Sequence, residues 1–181
     1  MRKAIPRASN TGGPVSPYLL RWLARFPTLA DGRALDVPCG GGRHAIHLAQ
    51  QGYEVLAFDN DPEQIAKLEL ALQCSTDLRV RTLLGDATRP LPFPKDTFDL
   101  VVTTHFVFPA LLADVSRVLK LGGLFVYETF GGHGENWRGL PRRGAVAQQL
   151  GAHFDILDYR ERPSGPAEAD AVVVQLIGRR L

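Results

Sequence analysis

The chain has 181 residues, of which 45% are hydrophobic and 22% charged, and its net charge is +2. That length fits one α/β domain with a sizeable core, and so small a net charge gives no broad field for nucleic acid. No apolar run is long enough to span a bilayer, and the basic start (Arg2, Lys3, Arg7) has no apolar segment behind it. Two cysteines, Cys39 and Cys74, make no disulfide framework, so the expected compartment is the cytoplasm.

Residues 1–15 are rich in basic and turn-forming types and are expected to be a mobile tail, with 16–181 a single domain. Over 16–28, Leu19, Leu20, Leu23 and Phe26 predict an amphipathic helix, with Ser16 as N-cap and Pro17 in the first turn. A strand over 33–38 leads through glycines into a helix over 43–51, which Gly52 stops. A second strand over 54–58 ends at Asp59. Asp61-Pro62-Glu63-Gln64 then opens a helix whose buried stripe is Ile65, Leu68 and Leu72. A third strand covers 79–84, and the prolines of 88–95 forbid regular helix there.

The stretch 98–104 is almost continuously apolar, as a buried parallel strand should be. Leu111, Leu112, Val115, Val118 and Leu119 share one face of a helix over 109–119. Gly122 and Gly123 end that element, and a fifth strand follows over 124–129. Glycine, proline and arginine dominate 131–144, before a short helix over 144–150. The last strands, over 153–161 and 169–178, are joined by Pro163-Ser-Gly-Pro166. That joint is too short for a crossover helix, so the pair is antiparallel.

The chemistry concentrates in Ala34-Leu-Asp36-Val-Pro38-Cys39-Gly40-Gly-Gly42-Arg43-His44, where strand, glycine loop and helix follow at once. This unit holds the adenosine half of a cofactor. Asp36, at the strand tip, would repel the pyrophosphate that a dinucleotide places against the helix N-terminus. It would attract an ammonium and a sulfonium, which points to S-adenosylmethionine; a pair at about 4 Å is worth about 4 kcal/mol at an effective dielectric of 20, before desolvation. Asp59 stands 19 residues beyond Gly40, near the spacing of an acid that accepts from both ribose hydroxyls. Asn60 would then lie near the adenine face. Gly40 and Gly42 would let the backbone approach the cofactor with no Cβ in the way.

Asp36-Val-Pro38-Cys39-Gly40-Gly-Gly42-Arg43 resembles the first motif, Asp-x-Gly-x-Gly-x-Gly, of class I S-adenosylmethionine-dependent methyltransferases, with Pro38 in place of the first glycine. Proline has no N–H, so one backbone donor to the cofactor is absent. The resemblance runs from about residue 17 to the C-terminus. Gly-Gly-Gly-Arg-His together with Tyr127-Glu-Thr-Phe130 is most similar to small bacterial members of the tellurite-resistance or thiopurine type. It implies a Rossmann-like three-layer α/β sandwich, its seven-stranded, mostly parallel sheet ending in an antiparallel C-terminal hairpin. The implied cofactor contacts are Asp36, Pro38, Cys39, Gly40, Gly42, Arg43 at the carboxylate, Asp59, Asn60, Asp86 at the adenine amino group, Ala87 through its N–H, and Thr103.

Thr103-Thr104-His105-Phe106 leaves the fourth strand beside the reactive methyl. His105 is the best-placed general base, with Glu128 a second catalytic candidate; a thiol, selenium or tellurium nucleophile would need no base. Tyr18, Trp22, Phe106, Phe108, Phe130 and Trp137 are candidates for the acceptor's apolar walls, and Glu128 with the glycine-rich His133-Gly-Glu135-Asn136-Trp137 segment is expected to line the substrate side. His44 and His47 have no third ligand nearby, so no metal is expected. Bland roles stand beside these: Asp86 fits plain turn chemistry, and Arg138, Arg142 and Arg143 fit a solvated rim.

The expected reaction is methyl transfer from S-adenosylmethionine to a small molecule, leaving S-adenosylhomocysteine. The alternatives are a nicotinamide-dependent Rossmann oxidoreductase using the same loop and a non-catalytic S-adenosylmethionine-binding protein. Neither nucleic acid nor membrane is expected as a partner, and a monomer or weak homodimer is. No Asn/Asp-Pro-Pro-aromatic sequence follows the fourth strand, where nucleic-acid amino-methylating enzymes carry it.

Overall fold

A single seven-stranded sheet runs through the computed structural model, which describes residues 13–26, 31–73, 75, 77–107, 109–132, 141–163 and 171–181. Its strands are β1 (Arg33–Asp36), β2 (Glu54–Asp59), β3 (Val80–Leu84), β4 (Phe98–Thr104), β5 (Leu119–Gly132), β6 (Phe154–Pro163) and β7 (Ala171–Arg180). They lie in the order β3-β2-β1-β4-β5-β7-β6. The first five run parallel, and β7 is antiparallel to both β5 and β6. The helices are α1 (Pro17–Leu23), α2 (Arg43–Gln50), α3 (Pro62–Gln73), α4 (Pro109–Val118) and α5 (Ala145–Leu150). This is the three-layer sandwich expected from the resemblance. Among the described residues no helix is long and apolar enough to cross a membrane.

Strand side chains alternate between the two faces, and each face has its own core. Ala34, Ala57, Leu100, Val102, Val126 and Ile177 pack beneath α1, α2 and α3. Leu35, Phe58, Val101, Phe125, Tyr127 and Leu176 pack beneath α4 and α5. Chain order reverses between β1 and β4, so a crevice opens at their C-terminal ends, where ligands of such sheets bind.

Local chemistry explains most boundaries. The Ser16 side chain accepts from the Tyr18 and Leu19 amides, 3.2 and 3.3 Å away, and caps α1. Asp61 does the same for α3, accepting from the Glu63 N–H at 2.9 Å. The proline-rich link before β4 is fastened to α4: Arg117 donates to the Leu91 carbonyl at 2.8 Å and pairs with Asp114 at 2.6 Å.

Two expectations need correction. α1 stops at Leu23, and its buried face is Tyr18, Leu19 and Trp22, while Leu20 is exposed. The two aromatic side chains cover more apolar area than Leu20 and turn the helix toward the sheet. At the other end, α4 stops at Val118 and β5 starts at Leu119, before the two glycines. Leu119 pairs with Phe98, and the register shifts before Leu124 pairs with Leu100. The glycines therefore lie inside an irregular strand, with Gly122 at φ +75°.

Candidate functional site

Strand register lines up the polar side chains at the C-terminal ends of the sheet. Asp36 pairs with Ala57 on one side and Val102 on the other. One alternation further along, Thr104 pairs with Glu128, and Glu128 with Gln175. Period-two alternation puts Asp36, Asp59, Thr104, Glu128 and Gln175 on the face that carries α1 and α2.

Asp36 is fully buried. Its Oδ2 accepts from the Ala45 N–H at 3.0 Å, in the first turn of α2. The N-cap position there is Gly42, which has no side chain, so Asp36 supplies a helix-terminal acceptor from the neighbouring strand. Its Oδ1 has no hydrogen-bond partner among the described residues. Burial raises the Asp36 pKa well above the usual carboxylate value, the Ala45 bond and Arg43 oppose that rise, and Asp59 adds to it. A buried carboxylate with one oxygen unmet calls for a cationic donor. An ammonium fits, whereas a pyrophosphate would add like charge.

Asp59 is also buried. Its Oδ2 accepts from the Gly40 N–H and its Oδ1 from the Asp61 N–H, each at 2.9 Å. A carboxylate has about four acceptor sites, so one such group can receive several donors at once. The loop is pinned further by Val37 N–H to the Val102 carbonyl and Cys39 N–H to the Phe58 carbonyl, at 2.9 and 3.0 Å. The Val37–Pro38 peptide is cis. Cys39 is buried and its Sγ donates to the Gly40 carbonyl at 3.3 Å.

The two glycines differ. A Cβ on Gly40 would meet nothing within 4 Å among the described residues, as expected of a position facing the crevice. A Cβ on Gly42 would lie 2.3 Å from the Leu68 side chain, so this glycine is required where the loop meets α3. The expectation that Gly42 clears space for a cofactor is thus joined by a packing reason.

Arg43, half-buried at the start of α2, feels both Asp36 and Glu128, whose charges oppose the lowering of its pKa by burial. Beside it, His44 is buried, and its Nε2 accepts from Arg43 Nε at 3.3 Å and from the Ser16 N–H at 3.2 Å. His44 Nδ1 lies 3.4 Å from Thr104 Oγ1. His105 follows with φ +55°, an unusual backbone conformation for a non-glycine residue. Its N–H donates to the Glu128 carbonyl at 2.7 Å, and its ring sits 5.3 Å from that of Phe130. Its Nδ1 is buried with no partner among the described residues, and burial followed by Arg43 lowers its pKa against the pull of Glu128. Glu128 Oε2 accepts from Gln175 Nε2 at 2.6 Å.

Other expected site residues are placed as follows. Tyr18 and Trp22 form the buried face of α1 and belong to the core; the Tyr18 hydroxyl donates to Asp158 at 3.2 Å. The Phe106 carbonyl accepts from Tyr127 and Thr129 at 2.8 and 3.2 Å, which fixes the turn after β4. Thr103 is buried on the α4 face, opposite Asp36, with no partner for its Oγ1 among the described residues. Asp86 is exposed and accepts from the Thr88 N–H and hydroxyl at 2.8 and 2.7 Å, which is turn chemistry. Ala87 is in the α4-side core and Asn60 is exposed. Trp137, Phe108, Cys74 and residues 133–140 lie outside the described residues. Sequence reasoning missed Gln175, whose register opposite Glu128 is invisible in the chain, and passed over His44, considered only as a metal ligand.

Residues 34–123 match the family described as a methyltransferase domain. The chain is 39% identical over 104 residues to rat "Arginine-hydroxylase NDUFAF5, mitochondrial", covering 55% of this chain and 29% of that protein. It is 34% identical over 118 residues to a "Ubiquinone biosynthesis O-methyltransferase" of Xylella fastidiosa strain M23, covering 62% of this chain and 48% of that one. The chain therefore spans less than half the length of either curated relative. A solved geranyl diphosphate methyltransferase in complex with SAM has the same fold, with a TM-score of 0.77 at 15% identity over 91% of this chain and 83% of that one. With the sheet order, this defines the class: residues 34–123 are a methyltransferase domain, carried on the fold of the class I S-adenosylmethionine-dependent methyltransferases.

Proposed function

We propose that the protein transfers a methyl group from S-adenosylmethionine to a small-molecule acceptor and releases S-adenosylhomocysteine. The observation that carries this reading is the buried Asp36 carboxylate, one oxygen bonded to α2 and the other unmet. Asp36 balances the cofactor ammonium, Arg43 takes its carboxylate, Asp59 accepts from the ribose hydroxyls, and Asp86 and Ala87 serve the adenine. The open side of Gly40 admits the cofactor against the loop backbone. When bound, the cofactor supplies an electrophilic methyl on a sulfonium.

Positioning and exclusion of water provide most of the rate in such a displacement. His105 is assigned the proton of a hydroxyl or amine acceptor; its lowered pKa keeps the ring neutral and able to act as a base near pH 7. Glu128, held by Gln175, turns its carboxylate toward the same end of β4 and stabilises the imidazolium that forms. Phe130 and Phe106 stand on the acceptor side.

Calorimetric titration with S-adenosylhomocysteine and with NAD tests the cofactor assignment, and an acceptor panel of phenols, amines and thiols tests turnover. S-adenosylhomocysteine is expected to bind and NAD not to. Tight binding of NAD alone would overturn the proposal. Cofactor binding without turnover on any acceptor would favour a binding protein over an enzyme.

A further inference from the structure

We propose that His44 is a positioning residue that couples the cofactor-binding end of α2 to the seating of α1 over the sheet. The inference rests on the methyltransferase reading only through the role given to Arg43.

The geometry fixes the state of the ring. Both Ser16 N–H and Arg43 Nε–H point at His44 Nε2, at 3.2 and 3.3 Å, so that nitrogen is the acceptor. The ring proton is then on Nδ1, donating toward Thr104 Oγ1 at 3.4 Å. An imidazolium would set a third N–H against two donors. Burial, and next the Arg43 charge, accordingly lower the His44 pKa to about 3.

One neutral ring therefore joins three places. Ser16 lies just before α1, where its backbone N–H has no intrahelical partner, and its side chain caps that helix. Arg43 opens α2 and feels both Asp36 and Glu128. Thr104 ends β4, immediately before His105. Ser16 and Arg43 meet at the same ring nitrogen, so whatever fixes Arg43 also fixes the ring that receives the Ser16 N–H. A cofactor carboxylate engaging the terminal nitrogens of Arg43 leaves its Nε on His44 and holds the whole contact in place. Loading the cofactor should then tighten α1, and by linkage a well-seated α1 should tighten the cofactor.

Hydrogen exchange over residues 13–26, with and without saturating S-adenosylhomocysteine, tests this. In the wild-type chain the ligand is expected to slow exchange there at least fivefold. In His44→Leu, ligand still binds at saturation, but its effect on 13–26 disappears. A merely structural histidine would raise exchange equally with and without ligand, leaving the ratio intact. Arg43→Lys keeps a cation and all of His44 while removing the Nε–H, so it serves even where His44→Leu does not fold. It too should lose the ligand-dependent protection. Protection that persists undiminished in either variant, or wild-type binding without protection, overturns the coupling and leaves the methyltransferase reading standing. Absence of wild-type binding overturns both.

Discussion

The Gly40 N–H donates to Asp59 Oδ2 at 2.9 Å, so the residue assigned to the ribose also holds the glycine loop against the end of β2. Binding and loop geometry are carried by one carboxylate. A substitution at Asp59 acts on both, and the two effects separate by measurement.

Asp59→Ala is expected to weaken S-adenosylhomocysteine binding at least tenfold, read by calorimetry. It also leaves the Gly40 and Asp61 amides without their acceptor. Each orphaned donor costs about 1–3 kcal/mol where water cannot reach it, so Tm should fall by several degrees in differential scanning fluorimetry. An unchanged dissociation constant would mean that the ribose is held elsewhere.

Gly40→Ala and Gly42→Ala should behave differently although both glycines have positive φ, +52° and +82°. Each alanine carries the left-handed penalty of about 1–2 kcal/mol. At Gly42 the new methyl also strikes Leu68, so this variant loses more stability in urea unfolding. At Gly40 the methyl enters open space, so stability changes less while ligand affinity drops. Equal losses of stability would show that the loop is not packed against α3 in this way.

How much of this was legible in the chain depends on the range of the interaction. The N-cap of α1, the start of α3 and the antiparallel β6–β7 pair follow from neighbouring residues, and local chemistry decided each. The acidic strand tips were legible because a carboxylate beside a glycine loop is a charge argument. The Glu128–Gln175 bond joins residues 47 apart in sequence, and the Ser16–His44 bond residues 28 apart. Neither has a local signature. Sequence alone gives Gly42 only the role of cofactor clearance, because Leu68 is distant in sequence though it is the nearest neighbour in space. Spacing alone puts Leu20 inside, because it cannot rank a leucine against Tyr18 and Trp22.

Asp36→Asn should keep the Ala45 bond through its amide oxygen while removing the charge. Ligand affinity is expected to drop more than tenfold, with Tm of the free protein changed by a few degrees at most. The wild-type chain carries a further signature. Burial raises the Asp36 pKa in the free protein, and an incoming ammonium favours its ionised form. Binding must therefore release protons at pH values below that raised pKa, and affinity must climb with pH until it is passed. Calorimetry in two buffers of different ionisation enthalpy reads the protons directly. Equal proton release in wild type and Asp36→Asn would assign the effect to another group.

Acid should act on stability through His44, and the direction follows from its proton count. In the unfolded chain the imidazole titrates near pH 6.5, whereas in the folded protein burial and then Arg43 lower it to about 3. Between those values the unfolded state binds more protons, so stability rises with pH and is lost as pH falls below about 6.5. At about 1.4 kcal/mol per unit, going from pH 6.5 to pH 5 removes about 2 kcal/mol through this residue. His47 and His105, also lowered, act in the same direction. Asp36 acts in the opposite one, because its raised pKa lets the folded state take up a proton first as pH falls. His44→Gln isolates the term: it is less stable at pH 7, but its stability falls less steeply from pH 6.5 to 5 than that of the wild type. Urea unfolding across that range gives both slopes, and parallel slopes would show that the folded imidazole is protonated as readily as the unfolded one.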